Sequence, residues 1–489
     1  MTSITQVYEL LNNDTIIANI IESLKVPHPL SLTHIRNDIR KYLSQLRNDL
    51  IVIVEDEYVD KVYRDSYYNY YSTKLKNYSR NCIRFSFIEP DIDVSKLYTS
   101  EEEREKLLSK YCGFMIIRPI YPGTIGRTAI DPKAFKNTTP LLICKAPINS
   151  SIIGIQTTIQ AFPHSSQDSE YMTCAETSIW TIMEYFGNKY PEYKPLLPSQ
   201  IHKLLEIKRD ERQVPSKGLN IGNLSFILKS QGFGCKIYAH DEYNDTEFKR
   251  IFSCYIESGI PLIVAISSKA GGHAVACIGR KYVDRKIIAS VPEQKFNNGI
   301  SFRYWNDSIS YFVFNDDNRP FYQIDPLSAP TPQLGADCSI THFIAPLYHK
   351  IYLDAQKAIE YTRILCNNFL DLPDNVTLRT FLAPNRTYQS YIINDSKLSE
   401  IHKSLLLNRL HFPKFIWVTE IATYDKFIQR EVQSLILLDA TEPLSYIMEP
   451  LILMCYNEKI SFFDTNSLTI KENTLPLRFD CISFNQNLE

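Results

Sequence analysis

Glycine is scarce in this chain. Its 489 residues include only 15 glycines, and none lies in 1–112 or 336–489. Glycine supplies positive φ and close backbone approach, so tight turns are expected in the middle third and not in the outer two. An excess of one charge is also lacking. Lys and Arg number 53, Asp and Glu number 55, and the net charge is −2. That balance removes the electrostatic case for a nucleic-acid or polyanion binder. No membrane partner is expected either. Glu9, Asp14 and Glu22 interrupt the apolar stretches of Met1–Leu24, which read as one or two amphipathic helices without a basic leader. Eleven cysteines are scattered from Cys82 to Cys481 with no CxxC pair. Free thiols in a reducing compartment explain that pattern, so a cytoplasmic location is expected.

Several catalytic signatures are missing as well. There is no HExxH, no GxxxxGK[ST], no GxGxxG and no GxSxG, which removes the zincin, phosphate-loop, dinucleotide and serine-elbow readings. The ten histidines do not pair with cysteines at metal-ligand spacing. No metal and no organic cofactor are implied.

What is present divides into three parts: an N-terminal α+β domain over 1–150, a central domain over 151–329, and a C-terminal α+β domain over 336–489. The proline-rich stretch Asp325–Gly335 separates the last two. Helical spacing covers Ile4–Leu11 and Ile35–Leu46. Leu50–Val54, Ile83–Phe87 and Phe114–Ile120 read as strands, with a turn at Tyr121-Pro122-Gly123. In the middle third, Ile179, Ile182, Met183 and Phe186 give Cys174–Phe186 a helical face, which Gly187 and Asn188 are expected to end. Strands are expected at Cys235–Ala239, Pro261–Ser267, His273–Arg280, Lys286–Ser290 and Tyr311–Asn315.

Three points in that middle third could carry chemistry. Cys174 opens an amphipathic helix, where the helix N-terminus favours a thiolate; the plain alternative is a buried cysteine. His273 opens an apolar strand after Gly271-Gly272, where the alternative is a satisfied strand-end histidine. The strand Tyr311–Phe314 runs into Asn315, Asp316 and Asp317, where the alternative is a solvated turn. Together they supply a thiol, a base and a group to orient that base. Which of the three turn residues faces His273 depends on strand phase, and the run Tyr311–Phe314 is apolar throughout. The remaining candidates are weaker. Arg118 and Arg127 read as surface residues or an anion site, Trp180 as core, and Trp305 as core or part of a cleft.

This layout resembles the papain-like cysteine peptidase fold, in the compact bacterial branch related to the bacteriocin-leader (double-glycine) peptidases. Cys174-Ala175-Glu176-Thr177-Ser178 is similar to that family's nucleophile helix, Gly272-His273-Ala274-Val275 to its histidine strand, and Val313–Asp317 to its aspartate strand. The resemblance runs from Gln156 to Pro326. It departs in having Cys174-Ala175 where the family often has Cys-Gly, and in the spacing of the glutamine before the cysteine: Gln167 stands seven residues ahead, not six. The resemblance implies an α+β protein whose central domain packs a nucleophile helix on an antiparallel sheet. It also implies that Cys174 is the nucleophile, His273 the base, Asp316 the orienting group and Gln167 an oxyanion donor, with Gln160 and Gln156 as fallbacks.

The expected function is a thiol-dependent amide hydrolase working through an acyl-enzyme on a protein or peptide, with flanking domains that select substrate or hold a protein partner. The alternatives are a catalytically degenerate papain-like scaffold in a multi-protein, defence-type assembly, and a thiol acyltransferase or deamidase using the same dyad.

Overall fold

The computed structural model describes residues 5–488 except 10–13, 15, 19, 21–23, 28–30, 209–213, 270, 409, 444–448, 457–458, 465–468, 475–478 and 481–487. Helices and strands are mixed throughout, so the chain is α+β, and three large sheets organise it. No helix among the described residues is long and apolar enough to cross a membrane.

The first sheet is an antiparallel meander of five strands: Thr5–Glu9, Ile51–Tyr58, Cys82–Ile88, Tyr111–Ile117 and Ile125–Ile130. Thr5–Glu9 is a strand and not the helix that its Ile4, Val7 and Leu10 spacing suggested. It pairs in register with Ile51–Glu55, and that edge position overrides a weak local helical preference. The glycine-free region avoids tight hairpins by routing its connections through helices, Lys61–Asn69 after the second strand and Glu101–Lys110 after the third.

The central sheet has seven strands. Its order is Gln323–Asp325, Phe312–Asn315, Gly271–Lys281, Leu262–Ser268, Ser339–Tyr348 and Phe233–Ala239, with Leu141–Ile143 pairing along the far end of Gly271–Lys281. Two of these strands come from beyond the sequence-based divisions. Leu141–Ile143 lies before residue 151, and Ser339–Tyr348 lies after Gly335 yet sits between two central strands. The helix Asp245–Glu257, for which no expectation was drawn, covers the apolar side of this sheet with Phe248, Ile251, Phe252 and Tyr255.

The third sheet runs through Gln294–Lys295, Ser301–Tyr304, Val376–Pro384, Phe415–Thr423, Ser434–Asp439, Leu451–Tyr456, Lys459–Asp464 and Thr469–Thr474. Its first two strands are lent by the central segment, and Ser301–Tyr304 pairs in parallel with Val376–Pro384. Between the central sheet and this loan, Arg285–Ser290 forms a 3-10 helix where a strand was expected. Asp284 caps it by accepting from the Lys286 amide at 2.8 Å. Trp305 packs on Phe427 of the C-terminal part and is buried.

The helix Cys174–Lys189 lies against the opposite face of the central sheet. Ser178 ties the two together, donating from its hydroxyl to the Ala274 carbonyl at 3.0 Å. Trp180 is buried in this core. The helix does not stop at Gly187 but continues to Lys189. Gly187 serves packing instead: a Cβ there would stand 2.3 Å from the Pro195 backbone nitrogen. One continuous apolar core joins this helix to the N-terminal helix Ser31–Leu43 and the first sheet.

Candidate active site

The helix that carries Cys174 begins where a tightly hydrogen-bonded loop ends. The Asp168 carboxylate accepts from the backbone amides of Glu170, Tyr171 and Met172 at 3.0, 2.7 and 2.8 Å, while its own amide donates to the Met172 carbonyl at 2.9 Å. His202 donates from Nε2 to the Tyr171 carbonyl at 2.6 Å. Thr173 is extended and serves as N-cap, so Cys174 is the first helical residue. The Glu176 carboxylate, buried in the first turn of the helix, accepts from the hydroxyls of Thr173 and Ser216. This bracing holds the start of the helix without covering the thiol, which stays half-buried.

The structure brings Cys174, His273 and Asp316 together. His273, 7% exposed, donates from Nε2 to Asp316 Oδ1 at 3.0 Å. The Cys174 side chain stands close enough to the same imidazole to help raise its pKa, while Nε2 is committed to the carboxylate and Nδ1 is the ring nitrogen left over. Burial alone would lower the His273 pKa. The hydrogen bond to Asp316, the nearby Cys174 side chain and the charges of Asp316 and Asp317 outweigh it, and push it up to about 11. Burial opposes ionisation of Asp316 too, yet the His273 hydrogen bond and charge hold its carboxyl below the usual range. His273 is therefore an imidazolium at neutral pH, oriented by a carboxylate and facing a thiol at a helix N-terminus.

The strand-phase question has a structural answer. Asn315 turns the other way: its amide donates to the Pro163 carbonyl at 3.0 Å, and its Oδ1 accepts from His164 Nδ1 at 2.7 Å. His164 is thereby fixed as the Nδ1–H tautomer, and burial lowers its pKa to about 4. Asp316 faces His273 and also accepts from the Asn318 amide at 3.0 Å. Asp317 lies 3.7 Å from His273 Nε2. It is buried, and neither of its carboxylate oxygens has a hydrogen-bond partner.

Gln167 stands at the rim of this turn. Its amide donates to Asn318 Oδ1 at 2.7 Å, and a glutamine amide carries a second N–H. The loop's position is set by Gly123, whose φ is +93° and whose missing Cβ would stand 2.7 Å from the Gln167 carbonyl oxygen. Gln156 and Gln160 point to the exposed side of the hairpin strand Ile155–Ala161. Arg118 and Arg127 are neither surface residues nor an anion site. Arg118 is buried and donates to the carbonyls of Gly123, Ile125 and Ser166, while Arg127 pairs with Glu184 at 2.9 Å.

Tyr42 and His164 are site residues that the motif reading did not supply. Tyr42 donates to the Arg319 carbonyl at 2.8 Å and stands 3.1 Å from His164 Nε2. Lys41 donates to the Asn318 carbonyl at 3.2 Å. The N-terminal helix thus buttresses the turn that carries Asp316. No protein-family model matches the chain, and no curated protein is significantly similar to it. What the site can do follows from its own groups.

Asp317 gives a pH test of this arrangement. Burial pushes its carboxyl up to about 8, from an ordinary value of 3.8. The folded chain keeps that proton where the unfolded chain releases it, so Asp317 costs increasing stability as pH rises from about 4 to about 8. In metal-free buffer, Asp317→Asn is expected to raise the melting temperature at pH 8 and leave it nearly unchanged at pH 4. Equal shifts at both pH values would mean that the carboxyl ionises normally.

Proposed function

We propose that this chain is a thiol-dependent amide hydrolase acting on a protein or peptide through an acyl-enzyme. The observation that carries the reading is the Cys174 side chain, at a helix N-terminus, set beside an imidazole that Asp316 holds by a hydrogen bond. The resemblance to papain-like cysteine peptidases adds to it.

The Cys174 thiolate attacks the amide carbonyl, and a carbon–sulfur bond forms as the carbonyl oxygen takes the charge. In this reading the Cys174 backbone N–H and the second N–H of Gln167 are the donors for that oxygen. As the intermediate collapses, the carbon–nitrogen bond breaks and His273 gives its proton to the leaving amine. Neutral His273 then takes a proton from water, which attacks the thioester and releases the acid and the thiolate. Asp316 holds the ring in place through both halves and stabilises its charged form.

Competitive alkylation by iodoacetamide at pH 6, read by mass spectrometry, tests the reading. Burial raises the pKa of most other described cysteines, with Cys112, Cys144, Cys235 and Cys455 each pushed up to about 12. Cys174 is expected to react far faster than the other ten. If it is as slow as its neighbours, the dyad reading fails.

A further inference from the structure

We infer that His273, Asp316 and Asp317 form a binding site for one zinc ion, on the side of the imidazole away from Cys174. One ligand atom from each residue, a ring nitrogen and two carboxylate oxygens, lies within 4.8 Å of the others. Nε2 stands 3.0 Å from Asp316 Oδ1 and 3.7 Å from Asp317 Oδ1. Donors held at about 2.0–2.2 Å around a tetrahedral ion stand about 3.4 Å apart, between those two separations. The three groups need to shift only slightly to close on a cation.

Asp317 is the independent observation. Buried polar groups are normally hydrogen-bonded. This carboxyl is 6% exposed, and neither of its oxygens has a hydrogen-bond partner, while Oδ1 faces His273 Nε2 across 3.7 Å. A cation between Asp317 and Nε2 satisfies it. Two carboxylates and one imidazole suit zinc, with water completing the tetrahedron. The ion takes the place of the proton on Nε2, so binding releases that proton. The Asn318 amide, which donates to Asp316 Oδ1, steadies one ligand from outside. These residues were not adjacent in any metal spacing, because 43 positions separate His273 from Asp316.

Zinc binding stands without the acyl-enzyme reading; only its consequence rests on that reading. An ion on Nε2 breaks the hydrogen bond to Asp316 and ties up the imidazole that must carry the proton. The thiol is then silent until the ion leaves.

The full chain, freed of metal by chelator dialysis, would be titrated with Zn²⁺ against a chromophoric zinc indicator. One ion per chain is expected in the wild type and in Cys174→Ala, with at least tenfold weaker binding in Asp317→Asn. Absence of binding in the wild type, or undiminished binding in folded Asp317→Asn, overturns the site. Cobalt substitution in the wild type is a second measurement that needs no variant. Visible d–d bands without a sulfur-to-cobalt charge-transfer band are expected. A thiolate band, or loss of binding in Cys174→Ala, would show a cysteine site and overturn the assignment.

Discussion

Replacing His273 by alanine is expected to slow alkylation of Cys174 at pH 6 by about 100-fold. A thiol with an ordinary pKa near 8.5 is less than about 1% ionised at that pH. In the wild type the Cys174 side chain stands beside an imidazole whose pKa is raised to about 11, so a positive charge is at hand to hold a thiolate. Removing the ring takes that charge away from the sulfur. Thiolate lost with that charge slows alkylation, and the higher nucleophilicity of a more basic thiolate recovers part of the rate. Asp316→Asn is expected to fall between the two. An amide keeps the ring oriented but withdraws the charge that favours the imidazolium. Quantitative mass spectrometry of the Cys174 peptide over time gives all three rates. An unchanged rate in His273→Ala would detach the imidazole from the thiol.

The second large effect is on stability. Glu257 ends the helix that backs the central sheet, and its carboxylate accepts from Arg280 and from Arg379, the latter at 3.2 Å. Arg379 also donates to Glu420 at 3.0 Å. All four side chains are buried. Arg280 lies on the His273 strand, and Arg379 and Glu420 lie on neighbouring strands of the third sheet. Glu257 therefore pins the central sheet to the C-terminal part of the chain. The four charges cancel, and Glu257→Ala leaves two buried guanidiniums sharing one carboxylate. A loss of about 3–5 kcal/mol is expected, measurable by urea denaturation. Glu257→Gln keeps the shape and some hydrogen bonding and should lose less. A loss below about 1 kcal/mol in the alanine variant would mean that water or rearrangement solvates the arginines.

The chemistry of the site was legible because each part of it carries a local signal. Ile179, Ile182, Met183 and Phe186 mark the helix that Cys174 opens, Gly271-Gly272 marks the entry to the His273 strand, and acids end the third strand. The choice among Asn315, Asp316 and Asp317 was not local. It follows from His164, 151 positions before Asn315, which captures the asparagine and turns Asp316 toward His273. Tyr42 and Lys41 reach the same turn from 277 positions away. The chain divisions blurred for the same reason. Ser301–Tyr304 leaves the central part to pair with Val376–Pro384, and Ser339–Tyr348 returns into the central sheet. Strand pairing at such separations leaves no mark on composition. The helix Asp245–Glu257 is a different case, because its signal was present: Asn244 caps it, and Phe248, Ile251, Phe252 and Tyr255 keep helical spacing.

The most direct test of the acyl-enzyme is to trap it. The full chain would be mixed with p-nitrophenyl acetate at neutral pH, quenched in acid and digested, and the acetyl group located by mass spectrometry. A burst of nitrophenol with acetyl thioester on Cys174, absent from Cys174→Ala and strongly reduced in His273→Ala, is the predicted result. Acetyl found only on lysines, or thioester formed equally in the wild type and His273→Ala, would contradict a catalytic Cys174–His273 pair.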